Sequence, residues 1–186
     1  GEHSNSCLGN LLKCYHGYTG SMWIKFHKFR EYMYYLSTGD QGINIFYKNK
    51  RVHITFEVPD KKWSVMLPSL GTNIWYKLEY TWHPVSGLQA YINGRKVGSS
   101  QGLLQPEQQP NLYTDHFYIG RANRGAPDGG RFQYADATFD DVRVWYAKRD
   151  DIVAFNYILR GKLCTKCDHM TYSMSVSLVT CRSPDL

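Results

Sequence analysis

Between Ile74 and Gly98 the chain alternates apolar and polar residues with a period of two, and it does so twice, each time ending at a glycine turn. Ile74, Tyr76, Leu78, Tyr80 and Trp82 fall on one face of an extended segment, while Trp75, Lys77, Glu79 and Thr81 fall on the other. Ser86-Gly87 then reverses the chain. Leu88, Ala90 and Ile92 resume the alternation, and Asn93-Gly94 is the dipeptide that best tolerates the two positive φ angles of a type I′ turn. A further short strand is expected through Lys96 and Val97. Such a segment specifies β-hairpins that cover a core with one face.

The same rhythm runs through the rest of the chain. Met22, Ile24 and Phe26 share one face of a segment from Gly20 to Phe26, with Ser21, Trp23 and Lys25 opposite; Glu31 to Ser37 reads as an aromatic, half-buried strand. Val52, Ile54, Phe56 and Val58 alternate with His53, Thr55 and Glu57. Thr38 to Gly42, Lys48-Asn49-Lys50 and Val58 to Lys61 read as turns. Strands recurring about every ten residues point to a two-sheet sandwich rather than to βαβ units. Fifteen tyrosines, eight phenylalanines and five tryptophans favour strands, and 186 residues suit a single all-β domain. Helical spacing occurs once, from Asp150 to Leu159, where Ile152, Val153, Phe155, Asn156 and Leu159 recur at three to four residues. The expected division is a domain over 1–160 and a cysteine-containing extension over 161–186, whose Met170 to Cys181 stretch has a strand-like composition diluted by Ser and Thr. No apolar run approaches the roughly 18 residues that span a bilayer, so membrane insertion is not expected, and no signal-peptide pattern is read.

Downstream of the double hairpin lie Phe117-Tyr-Ile-Gly-Arg121 and Phe139-Asp-Asp-Val-Arg-Val-Trp145, the latter followed by the helical segment. In this order the chain resembles the laminin-G/pentraxin-like, concanavalin A-like jelly rolls, from about Cys7 to Arg160. The opening Cys7…Cys14-x-x-Gly17-x-Thr19-Gly-Ser-Met-Trp23 is similar to the start of receptor and matrix members. The resemblance implies an all-β fold of two antiparallel sheets with one short C-terminal helix. It also implies an extracellular, non-catalytic module, secreted or part of an ectodomain with possible flanking domains, that recognises a glycan or an extracellular protein. A shell or skeletal matrix domain contacting polysaccharide or carbonate mineral is the alternative, and a glycan-active enzyme of the same fold is a further one.

Within Phe139 to Tyr146, Asp140 is in phase with Val142 and Val144, so strict alternation aims its carboxylate at the core, where it needs a partner. In the jelly rolls this chain resembles, the matching aspartate takes part in a calcium site or ties down backbone amides. Calcium is accordingly the candidate cofactor, with Asp136 and Asp40 as further candidate ligands. Phe139 is out of phase with Val142, and a bulge between them would turn Asp140 outward.

Cys7 and Cys14 are spaced for a small closed loop around Gly9-Asn10, whereas Cys164, Cys167 and Cys181 lie in the polar tail. Cys164-x-x-Cys167 beside His169 also reads as a zinc half-site, but no second ligand pair accompanies it. Disulfides in an oxidising compartment are the preferred reading, with Cys7, Cys14, Cys164 and Cys181 as candidates and a fifth thiol left over.

The 22 Lys and Arg against 16 Asp and Glu leave a net charge of +6. Lys25, His27, Lys28 and Arg30 cluster at one strand end, and Lys48, Lys50, Arg51 and His53 at another; Arg121, Arg124 and Arg131 lie in a Gly-rich connection. These are either solvated turns or contacts for a polyanion such as a sulfated glycan. Nucleic acid is not expected, because no recognition helix, zinc finger or RNA-binding sheet signature is present. Catalysis is not expected either. Retaining glycoside hydrolysis needs two carboxylates about 5 Å apart, and no Glu-x-Asp-x-Glu, Gly-x-Ser-x-Gly or His-Glu-x-x-His occurs.

Overall fold

In the computed structural model, residues 14–39, 42–58, 61–102, 117–123 and 133–150 are described, with the backbone of 179–181. The alternating segments become β1 (Tyr18–Phe26), β2 (Met33–Ser37), β3 (Gly42–Lys48), β4 (Arg51–Val58), β5 (Lys61–Met66), β6 (Trp75–His83), β7 (Gly87–Ile92) and β8 (Arg95–Ser100). Four shorter or later strands follow: β9 (Tyr118–Ile119), β10 (Gln133–Tyr134), β11 (Ala137–Trp145) and β12 (Val179–Cys181). One sheet runs β12-β11-β1-β6-β7-β8; the other runs β10-β2-β3-β4-β5, with β9 also on β2. Pairing is antiparallel except for the two-residue parallel contact of β10 with β2.

The faces read from the sequence meet between the sheets. Met22, Ile24 and Phe26 of β1, Leu78, Tyr80 and Trp82 of β6, and Leu88 and Ala90 of β7 bury against Ile43, Ile45, Ile54, Phe56, Trp63 and Val65 from the facing sheet. Phe56 and Trp82 stack across the interface with centroids 4.1 Å apart and planes 4° apart, and Trp63 meets Trp82 edge-on at 5.6 Å. Each such aromatic pair adds about 0.5–1.5 kcal/mol beyond its area burial.

Asn93 and Gly94 take φ angles of 51° and 79°, as a type I′ turn requires. The Asn93 amide carbonyl, Oδ1, accepts the Lys77 N–H at 2.9 Å, so the turn is pinned to the start of β6. Ile74 lies one residue before β6 and is 52% exposed, and its expected place on the core face is therefore corrected. β3 and β5 carried weaker signals. β3 is covered on both faces from Gly42 to Phe46, which erases alternation in Gly-Ile-Asn-Ile-Phe. Buried Asn44 on β3 survives there because it accepts a hydrogen bond from Ser37 Oγ at 2.6 Å and donates one to the Gly39 carbonyl at 2.8 Å.

β11 departs from simple alternation. Its register with β1 shifts between Ser21↔Arg143 and Trp23↔Asp140, leaving one extra residue on β11, and Asp141 has φ 49°. This bulge lets Ala137 and Phe139 before it, and Val142 and Val144 after it, all face the core. Asp140 is therefore turned out of the core, as expected for a bulge and not for strict alternation. Of the C-terminal stretch, Val179–Cys181 pairs with Ala137–Phe139 and extends the sheet; the helix expected over Asp150 to Leu159 lies, beyond Asp150, outside the described residues.

Candidate functional site

Two basic segments that are remote in sequence meet at one end of the sandwich. The β3–β4 hairpin closes through Asn49 and Lys50, with φ angles of 50° and 61°. Two left-handed residues without glycine cost about 1–2 kcal/mol each, so such a turn needs support. Glu31 supplies it: its carboxylate accepts the Asn49 N–H at 3.1 Å and the Lys50 N–H at 3.4 Å. Tyr32 donates its N–H to the Tyr47 carbonyl at 2.9 Å, and Phe29 stacks on Tyr47 at 4.8 Å. The Lys48 ammonium sits 5.6 Å from the Tyr32 ring centroid.

The segment 28–32 is thus fixed against 48–51, and the junction gathers Lys28, Arg30, Lys48, Lys50 and Arg51 around one carboxylate, Glu31. Lys28, Arg30 and Lys50 are exposed, and Glu31 is already engaged by the turn amides. Among the described residues no carboxylate pairs with Lys28, Arg30, Lys50 or Arg51. The result is a basic ridge whose backbone is held in place by aromatic and backbone contacts.

The expected clusters do not stay whole. Lys25 and His27 leave the ridge and face the outer surface of the β1 sheet. There the Lys25 ammonium lies 5.1 Å from the Trp75 ring centroid, and His27 bridges Asn73 Oδ1 at 3.1 Å and Thr138 Oγ1 at 2.8 Å. His53 stacks on Phe46 at 5.6 Å and its Nε2–H donates to the Lys48 carbonyl at 3.0 Å. Arg121 is exposed with its guanidinium 3.8 Å from the Tyr118 centroid, on a loop anchored by Asn123, whose N–H donates to Ser37 Oγ at 3.0 Å. Arg124, Arg131, Asp40, Cys7 and Cys164 lie outside the described residues. Cys14 is buried and disulfide-bonded. Cys181 is placed by its backbone at the edge of the β1 sheet.

Three of the remaining acids pair with basic side chains. Glu57 pairs with Lys62 at 2.7 Å, Asp141 with Arg143 at 2.6 Å, and Glu79 lies 3.9 Å from Arg149. Asp140 Oδ1 accepts the Asp141 N–H at 2.8 Å, and the Asp136 carbonyl accepts the N–H groups of His27 and Lys28. Among the described residues no group of three or more His, Cys, Asp and Glu is arranged to hold a metal ion. Sequence reasoning placed Trp23 and Trp75 on outward faces but missed that β1 and β6 set them diagonally across from one another, because that register spans some fifty residues of chain.

A two-sheet β sandwich whose chain passes from one sheet to the other and back is the architecture of the concanavalin A-like jelly rolls. The chain belongs to the laminin-G-type branch of the concanavalin A-like lectin/glucanases superfamily, whose family profile matches residues 1–151. No curated protein matches it in sequence. Among solved structures it is similar to a candidate carbohydrate binding protein from Bacteroides ovatus, at 17% identity and a TM-score of 0.54, covering 73% of this chain and 38% of that one. It is also similar to a botulinum neurotoxin type C structure concerned with two ganglioside molecules, at 14% identity and a TM-score of 0.56, covering 77% and 36%. A Trypanosoma rangeli sialidase shares the fold at 16% identity and a TM-score of 0.51, covering 72% and 21%. The chain thus spans well under half the length of each of these proteins.

Proposed function

We propose that this domain is a non-catalytic, extracellular glycan-binding module, and that its basic ridge takes an anionic, sulfated or carboxylated glycan. The observation that carries the reading is the joining of Lys28 and Arg30 to Lys48, Lys50 and Arg51 by Glu31 and the Phe29–Tyr47 stack. A polyanion offers regularly spaced charges, and cations carried on one fixed stretch of backbone can make many weak contacts with it at once. The family membership and the carbohydrate-linked neighbours favour a glycan over other polyanions. The disulfide at Cys14 favours an oxidising compartment. The pairing of Glu57, Glu79 and Asp141 with basic side chains supports binding rather than hydrolysis, which needs two carboxylates free to act on one bond.

The test is heparin affinity over a salt gradient. Lys50→Glu/Arg51→Glu is expected to elute at markedly lower salt than the parent, with the slope of log affinity against log salt reduced by roughly one per cation removed. Arg95→Glu/Lys96→Glu carries the same change of net charge on exposed residues of β8, in the other sheet from β3 and β4, and is expected to elute close to the parent. Equal losses in both variants would mean that retention follows net charge alone, and the ridge would lose its role.

A further inference from the structure

The outer face of the β1 sheet carries a second arrangement that the ridge does not use. Across β11, β1 and β6, Asp140, Trp23 and Lys77 stand in one row, and Thr138, Lys25 and Trp75 stand in the next. Directly opposed residues on antiparallel strands sit about 4.5–5.5 Å apart, and diagonal ones about 7–8 Å. Trp23 therefore has a carboxylate on one side and an ammonium on the other, and Trp75 is its diagonal neighbour. Both indoles remain open to solvent, at 39% and 37% exposure, whereas Trp63 and Trp82 are fully buried in the core.

The β11 bulge is what builds this row. Asp141 is held at φ 49°, a conformation that costs a non-glycine residue about 1 kcal/mol or more, and Arg143 Nε clamps its carboxylate at 2.6 Å. The consequence is that Asp140 stands beside Trp23 instead of pointing into the core. Among the described residues its only hydrogen bond is the one Oδ1 accepts from the Asp141 N–H, and none of them engages Oδ2.

We infer that Trp23, flanked by Asp140 and Lys77, is a platform for a pyranose ring of an uncharged saccharide. A sugar ring presents a face of C–H groups edged by hydroxyls. The indole takes the C–H face, Asp140 accepts a hydroxyl proton, and Lys77 donates to a hydroxyl oxygen. The opposite charges of Asp140 and Lys77 cancel across the row, which suits a neutral ligand and sets this surface apart from the ridge. The checkerboard of single aromatics and charges is unlike the contiguous apolar surface that a lipid layer covers. Trp75, whose ring already carries the Lys25 ammonium, extends the surface toward a neighbouring sugar unit. The inference shares with the proposed function only the class of ligand; it concerns different residues and a different physical term.

The experiment is a titration of the folded chain with cellohexaose, xylohexaose, mannohexaose and chitohexaose, each to about 10 mM, which fills sites with millimolar Kd. Binding is read from the five tryptophan indole N–H resonances, and in the variants that lack Trp23 by calorimetry. The expected result is a saturable shift of the Trp23 indole with at least one saccharide, with the Trp63 and Trp82 signals unmoved and little sensitivity to salt. Trp23→Ala should weaken binding at least tenfold, Trp23→Phe less, and Asp140→Asn several-fold, while Lys50→Glu/Arg51→Glu should bind as the parent does. Thermal melting of each variant checks that it is folded. No indole shift with any of the four saccharides overturns the inference and leaves the ridge untouched. Binding lost in Lys50→Glu/Arg51→Glu but kept in Trp23→Ala, as calorimetry reads it, overturns it as well, because it moves neutral-sugar binding to the ridge.

Discussion

Alkaline pH is a sharp probe of this core, because Tyr18, Tyr35 and Tyr80 are among the tyrosines buried with essentially no exposure. Burial raises the pKa of each phenol above its ordinary value near 10, since a phenolate would have to shed its water. Below pH 10 folded and unfolded chains both hold these protons, and the contribution to stability is fully present. Above pH 10 the unfolded chain releases them and the folded chain does not, so the unfolded state binds fewer protons and stability falls as pH rises toward the folded pKa values. Each tyrosine contributes a slope of about 1.4 kcal/mol per pH unit, and the three together about 4 kcal/mol per unit. A domain with about 5–8 kcal/mol of stability is then expected to unfold near pH 11–12. Tyrosinate absorbance and far-ultraviolet circular dichroism, followed together, provide the assay. Exposed Tyr15 and Tyr134 should ionise gradually near pH 10, and the buried three in one step that coincides with loss of the β signal. Among the described residues the buried Tyr35 Oη has no hydrogen-bond partner, so Tyr35→Phe should remain folded at neutral pH and reduce the alkaline slope by about 1.4 kcal/mol per unit. Smooth ionisation of all fifteen tyrosines near pH 10 with an unchanged β signal would refute the reasoning, as would an unaltered slope in Tyr35→Phe.

Two glycines give further expectations, both read from urea midpoints. Gly20 faces Tyr80 across β1 and β6, and a methyl group there would overlap Tyr80 Cζ and Oη and come within 2.8 Å of Cε1. Gly20→Ala should destabilise by about 1–3 kcal/mol, and Tyr80→Leu should recover part of that loss by a non-additive coupling. A neutral Gly20→Ala would mean that the Tyr80 ring moves freely. Gly94, at φ 79°, has no atom within 4 Å of an added methyl, so Gly94→Ala tests backbone strain alone. The expected loss is about 1–2 kcal/mol, with Gly94→Asn appreciably milder.

Much of the sandwich was legible because it is local. Alternation in β1, β4, β6 and β7 reflects one face in water and one in the core, and Asn93-Gly94 leaves a hairpin little choice of turn. β3 escaped notice because both of its faces are covered, and Ile74 was placed inward because alternation cannot say where a strand begins. Asp140 shows the limit most plainly: Phe139 and Val142 were visibly out of phase, but only packing against β1 decided that the mismatch would become a bulge and turn the carboxylate outward.

The candidate surfaces divide in the same way. Sequence alone determined which residues could carry charge or an indole to the outside, since side-chain direction along a strand follows from a period of two. It could not determine which of them would be neighbours. Lys28 meets the Lys50 turn through Glu31, and Trp23 meets Lys77 and Asp140 through strand register, in each case across a separation that no local pattern encodes. Register is set by how the buried faces of two sheets fit together, so the tertiary structure alone joined two basic turns into a ridge and set an acid, an indole and a base side by side.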